Sequence, residues 1–161
     1  MKKIEIDTAE AKGLKIYKST AYEFSLKCNE SPFHKMKITC SRDIFKFASQ
    51  LYADDIQIYE SIFAVFLNRS NNTIGFVKIS QGGVSSTVLD VRLVLKYALE
   101  SLCSGIILIH NHPTNNMMPS EQDIRITSKL KDAAKIMDIT LLDHLIISKE
   151  NYYSFADENM M

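Results

Sequence analysis

Polar and apolar residues along the chain change period several times, and each change marks an element boundary. Residues 1–13 are polar and end in Gly13, so a flexible, frayed start is expected. Leu14–Ser19 and Ala21–Cys28 then alternate with period two and read as strands able to form an opening hairpin. Ser31-Pro32 marks a loop, after which Ser41 is placed to cap a helix. Its apolar positions Ile44, Phe45, Ala48, Leu51 and Tyr52 keep helical spacing, with an end expected near Ala53. Ser61–Asn68 (SIFAVFLN) and Thr73–Ser80 (TIGFVKIS) are β-rich runs joined by Arg69-Ser70-Asn71-Asn72, the clearest hairpin in the chain.

Beyond the Gly82-Gly83 break, Val91, Val94, Leu95, Ala98, Leu99 and Leu102 form the stripe of an amphipathic helix. Gly105–Ile109 (GIILI) is apolar throughout, as a central strand buried on both faces would be, and it runs into His110-Asn111-His112-Pro113. The histidines are therefore expected at its exposed C-terminal end. A polar loop with two prolines leads to a helix from Ser120 to about Met137, then a strand Ile139–Ser148 and a short strand near Tyr152–Phe155. Strands interleaved with helices, with hairpins at one edge, predict an α/β fold: a three-layer sandwich around a mixed sheet. No repeat, low-complexity tract or linker argues for a second domain.

Composition narrows the function classes. A length of 161 residues suits a single domain that buries roughly 70% of its unfolded surface. Hydrophobic residues at 46% and charged residues at 24% exclude a disordered or collagenous chain. Nineteen basic side chains balance nineteen acidic ones, so the basic excess of a typical DNA-gripping domain is missing. Cys28, Cys40 and Cys103 are odd in number and widely spaced, which supports neither a disulfide framework nor a cysteine zinc site and points to a reducing cytoplasm. The N-terminus lacks an apolar core after its lysines, and no apolar run spans a bilayer, so an intracellular, soluble protein without membrane contact is expected.

Candidate chemistry gathers around the histidines. His110 and His112 stand two apart, so on an extended backbone both imidazoles point to one side and can share a metal. Asp123 follows eleven residues after His112, in the first turn of the helix opened by Ser120. Two histidines and a carboxylate leave a fourth position for water, the pattern of a catalytic zinc. Ser120-x-x-Asp123 is equally a common helix-start signal, and both readings can hold together. Ser120 could then donate to developing oxyanion charge. A proton acceptor is also needed, and Asp54, Asp55, Glu60, Glu100 and Asp143 lie outside the ligand set. Glu60 stands at the mouth of the SIFAVFLN strand, though spacing alone does not select it.

Taken together, Glu60, His110-x-His112-Pro113, the seven residues between His112 and Ser120, and Ser120-x-x-Asp123 resemble the JAMM (MPN-type) zinc metalloprotease motif. QGGVSSTVLDVR, GIILIHNHP, PSEQDIRITSKL, LLDHLIIS and YYSFADE resemble the RadC family of bacterial proteins, closely over residues 41–161. Leu14–Cys40 more loosely resembles the strand-bearing N-terminal segment of short RadC-like proteins of mobile elements. The resemblance implies one zinc ion (Zn2+) per chain on His110, His112 and Asp123, Glu60 as general acid/base and Ser120 as oxyanion donor. It also implies a JAB/MPN domain, an α/β/α sandwich related to the cytidine deaminase fold, acting as a metallopeptidase on a peptide or isopeptide bond. Where the family usually reads HPSG, this chain has Pro113-Thr114-Asn115, and Asn115 can still adopt the left-handed backbone of such a turn.

Competing readings follow from the same residues. A DNA-repair or mobile-element accessory protein, binding DNA or protein around a non-catalytic zinc, is the alternative, and the neutral charge does not favour DNA. The tripeptide His110-Asn111-His112 matches the name of the HNH nucleases by accident, and the cysteines of a zinc deaminase are missing. Asp143 and His144 are adjacent on a strand and face opposite ways; a structural hydrogen bond is the expected role of Asp143, with no catalytic step. His34 reads as a surface histidine, and Gly82–Thr87 as a turn before a helix. Exposed hairpin edges leave room for a homodimer.

Overall fold

A computed structural model describes residues 27–52, 56–82 and 89–161. Its elements are α1 (Ser41–Leu51), β1 (Ser61–Leu67), β2 (Thr73–Gln81), α2 (Val91–Glu100), β3 (Gly105–Asn111), α3 (Glu121–Ile136), β4 (Thr140–Ile147) and β5 (Tyr152–Ser154). The strands form one mixed sheet in the order β2-β1-β3-β4-β5. Only β3 and β4 run parallel, because α3 carries the chain back between them; the other pairs are antiparallel.

Side-chain alternation divides the core into two layers. Ile62, Ala64 and Phe66 of β1 join Ile106 and Leu108 of β3 under α2 and α3. Their neighbours Phe63, Val65, Leu67, Ile107 and Ile109 pack on the opposite face, under Ile44, Phe47 and Ala48 of α1. Strands covered on both faces need apolar residues at every position, and β1 is buried along its whole length. The sheet is thus enclosed as the expected α/β/α sandwich.

Several expectations change at the element ends. Ser41 does not cap α1: Cys40 is the N-cap and makes no side-chain capping bond, while the Ser41 hydroxyl donates to Asp157 and lies 3.2 Å from the Tyr152 hydroxyl. The stripe of α2 buries Val91, Val94 and Ala98 but leaves Leu99 exposed; Leu102 lies beyond the helix at φ 52° and is 87% exposed. The strands expected at Leu14–Ser19 and Ala21–Cys28 fall outside the described residues except for Lys27 and Cys28, which are not in a strand. The frayed start expected for residues 1–13 lies wholly outside them. Between residues 27 and 40 the chain makes a single bridge, Lys37 to Asn72.

Candidate metal centre

β3 is the middle strand of the sheet and delivers both histidines. Pairing continues past Ile109, with His110 opposite Ile62 and Ile146 and Asn111 opposite Ile147. His110 is therefore buried, at 1% exposure, instead of lying at an open strand end. It faces the α2–α3 layer. His112 follows in extended backbone, its amide donating to the Ile147 carbonyl at 3.1 Å, and the two rings meet edge to face at 4.5 Å.

Asp123 reaches the histidines because the loop after Pro113 turns back and starts α3 against them. Asn115 adopts φ 59°, the left-handed geometry that its side chain tolerates. Ser120 caps α3 in a reciprocal box: its hydroxyl donates to Asp123 Oδ2 at 2.6 Å, its amide does so at 2.8 Å, and the Asp123 amide donates back at 3.1 Å. These bonds engage Oδ2 and turn Oδ1 towards His110 Nδ1, 3.5 Å away.

The donor set fits a divalent cation. One ligand atom each from His110, His112 and Asp123 can be chosen so that all lie within 4.8 Å of one another. Tetrahedral ligands at ordinary zinc distances sit roughly 3.3 Å apart. The separations here are slightly wider: 3.5 Å from His110 Nδ1 to Asp123 Oδ1, and 3.9 Å from His112 Nε2 to the other carboxylate oxygen, Oδ2. His112 Nδ1 bonds the Asn116 carbonyl, a contact that fixes the tautomer and leaves Nε2 bare. His110 Nε2 lies 3.0 Å from Glu60 Oε1, so its proton belongs on that side; Nδ1 is buried and without a hydrogen-bond partner. A bound metal would supply what that atom lacks.

Glu60 ends the segment before β1, and Asn111 fastens that segment. Facing the α1 layer, the fully buried Asn111 accepts from the Ser61 amide and donates to the Ile56 and Tyr59 carbonyls, each at 2.7 Å. Tyr52 lies beneath, its hydroxyl 2.9 Å from the Ser61 carbonyl and 3.0 Å from that of Ile109. Burial and the charge of Glu60 push the Tyr52 hydroxyl well above the usual range. Sequence reading passed over Asn111; the available signal was a polar residue on the buried face of a strand whose alternate neighbours are apolar.

Electrostatics favour an ionised Asp123. Burial works against the charge, but His110, the Ser120 hydroxyl and amide, and His144 outweigh it and bring the carboxyl below its ordinary value. His144, on the same sheet face as His110, is fully buried; desolvation first, then its neighbours His110 and His112, lower it to about 3 against the opposing pull of Asp123. Asp143 faces the other way and accepts from the Ser154 hydroxyl at 2.6 Å and the Ala156 and His144 amides, the structural role expected of it. Its carboxyl is raised by burial, which those bonds only partly offset. Of the other candidates, Glu100 and His34 are exposed, while Asp54, Asp55 and Gly83–Thr87 lie outside the described residues. A cleft of about 160 Å³ opens beside Glu60 and Asp123, lined by Ile62, Leu89, Ile126 and Lys129. A larger cavity of about 770 Å³ lies between residues 27–35 and β2, without any of the histidine pair.

An α/β/α sandwich with two histidines leaving its central strand and an aspartate in the first turn of the next helix defines a metal-site domain of the JAB class. A model of the RadC-like JAB domain matches residues 38–160, and the chain belongs to that family. It is 44% identical over 124 residues to a UPF0758 protein of Flavobacterium johnsoniae, covering 77% of this chain and 53% of that protein. A UPF0758 protein of Porphyromonas gingivalis is 42% identical over 125 residues, 77% of this chain and 54% of that one. The chain spans about half the length of these curated relatives. One from Chlorobium luteolum is 30% identical over 152 residues, 94% of this chain and 66% of its own. No helix among the described residues is long and apolar enough to cross a membrane.

Proposed function

We propose that the chain is a zinc-dependent hydrolase of JAMM type that cleaves a peptide or isopeptide bond, with one zinc ion held by His110, His112 and Asp123. The observation that carries this reading is the buried, unpartnered His110 Nδ1, turned towards Asp123 while Glu60 holds the other nitrogen of the same ring. Zinc in such a site acts as a Lewis acid on the scissile carbonyl and brings the pKa of a bound water near 7.

The protein's part is positioning and proton transfer. Glu60 uses Oε1 to hold His110, and its second oxygen takes the proton of the attacking water and returns it to the leaving amine. Asn111 keeps Glu60 at that distance through the backbone on both sides of it. Ser120, 2.6 Å from Asp123, is assigned to the developing oxyanion, its hydroxyl turning from the carboxylate to the substrate oxygen. The apolar cleft at Ile62, Leu89 and Ile126 takes a substrate side chain beside the reacting bond.

The test is Glu60→Gln assayed against peptide and isopeptide substrates, with zinc content measured on the same sample. Turnover should fall at least 10²-fold while zinc remains bound, since general acid–base catalysis contributes about 10²–10⁴-fold. Retained turnover removes Glu60 from its role.

A further inference from the structure

We propose that His144 is a positioning residue of the metal centre. It fixes the plane of the His110 ring and, through Thr127, ties the helix turn carrying Asp123 to the sheet. The inference rests on the metal reading above.

Three aromatic rings form a continuous stack behind the first ligand. Phe155 and His144 lie at 4.8 Å with planes 15° apart, and His144 and His110 at 5.8 Å with planes 28° apart. Phe155 is fully buried, and its amide donates to the His144 carbonyl at 3.0 Å, so the outer end of the stack is itself immobilised. His110 cannot tilt away from His112 without displacing that stack.

The second restraint is a hydrogen-bond chain whose direction is determined. Thr127 has one hydroxyl proton and gives it to the Asp123 carbonyl at 2.6 Å. The same oxygen lies 2.7 Å from His144 Nδ1, so the imidazole must be the donor there. β4 is thereby linked to the turn of α3 between residues 123 and 127. The remaining nitrogen, Nε2, is buried without a partner. An ordinary core position would avoid that desolvation cost with phenylalanine or leucine. Histidine is explained by what its other end does: one residue sets two ligands, His110 by contact and Asp123 through Thr127.

Zinc affinity of the full chain, measured by competition with a chromophoric chelator, tests this without any substrate. His144→Phe keeps the stack and loses the bond; Thr127→Val keeps the shape and loses the bond; Thr127→Ser keeps the hydroxyl. Each of the first two should weaken zinc binding about 10-fold, as loss of a residue that orients a ligand does. Their combination should be no weaker than either alone, because both cut one link. Thr127→Ser should bind as wild type, and the visible spectrum of the cobalt-loaded chain should change in His144→Phe and Thr127→Val only.

Wild-type affinity in folded Thr127→Val, or a double variant whose loss multiplies the single losses, overturns the inference and leaves the metal reading standing. A wild-type chain that takes up no zinc overturns both. If His144→Phe does not fold, the Thr127→Val and Thr127→Ser pair decides.

Discussion

A buried, neutral imidazole makes the metal-free chain sensitive to acid. The unfolded chain protonates His144 near its ordinary value of 6.5, the folded chain only near 3. Between those values the unfolded state holds the extra proton, so stability falls as pH falls, by about 1.4 kcal/mol per unit. Urea unfolding with chelator present should show a loss of about 1.6 kcal/mol from pH 6.5 to pH 5, flattened in His144→Asn; a flat wild-type profile contradicts this. Asp123 acts in the same direction, but its lowered carboxyl titrates below the ordinary 3.8 and outside that window. Residues of this kind were hard to read from sequence. His110, His112 and Asp123 stand at spacings with chemical meaning, and Glu60 joins them only through the resemblance to the JAMM motif. His144 and Asn111 act through partners 17 and about 50 positions away, which only the folded sheet brings close.

Two elements hold the site, and each has a replaceable fastening. The capping box at the start of α3 satisfies helix amides and also orients Asp123. Ser120→Ala should cost about 1 kcal/mol of stability in a denaturant titration. It should also weaken zinc binding, because Oδ2 loses a bond that holds the carboxylate in place. The segment before β1 depends on three hydrogen bonds from one amide side chain. Asn111→Ala leaves three backbone groups unsatisfied and should cost about 3 kcal/mol or more, at roughly 1–3 kcal/mol per group. Elements whose signals are local were legible. α3 starts after its Ser120 cap and ends at Met137, and the hairpin turns at Asn71, whose φ is 57°. Tertiary partners defeated the rest: Ser41 looks like a cap, but its hydroxyl is used by Asp157, 116 residues on. The apolar stripe of α2 continues through Leu102 after the backbone has left the helix.

At the scale of the molecule, sandwich and site are consistent with one another. Parallel β3 and β4 place strand ends and a helix start at one rim of the sheet, the usual location of an α/β site. The chain carries equal numbers of acidic and basic groups, and that balance does not favour nucleic acid as the main partner. Mobility-shift titrations with single-stranded and branched DNA should show no binding at physiological salt; tight, steeply salt-dependent binding would favour the accessory-protein reading. Fold class was legible because strands buried on both faces and amphipathic helices leave distinct periods. The enclosure of His110 was not legible, since nothing in GIILIHN shows that pairing extends beyond the apolar run. Every role proposed for the site depends on the metal. Elemental analysis of the purified chain beside His112→Ala decides whether that metal binds: about one zinc per wild-type chain and almost none in the variant are expected. Absence of zinc from the wild-type chain after reconstitution, or equal zinc in both, would contradict it.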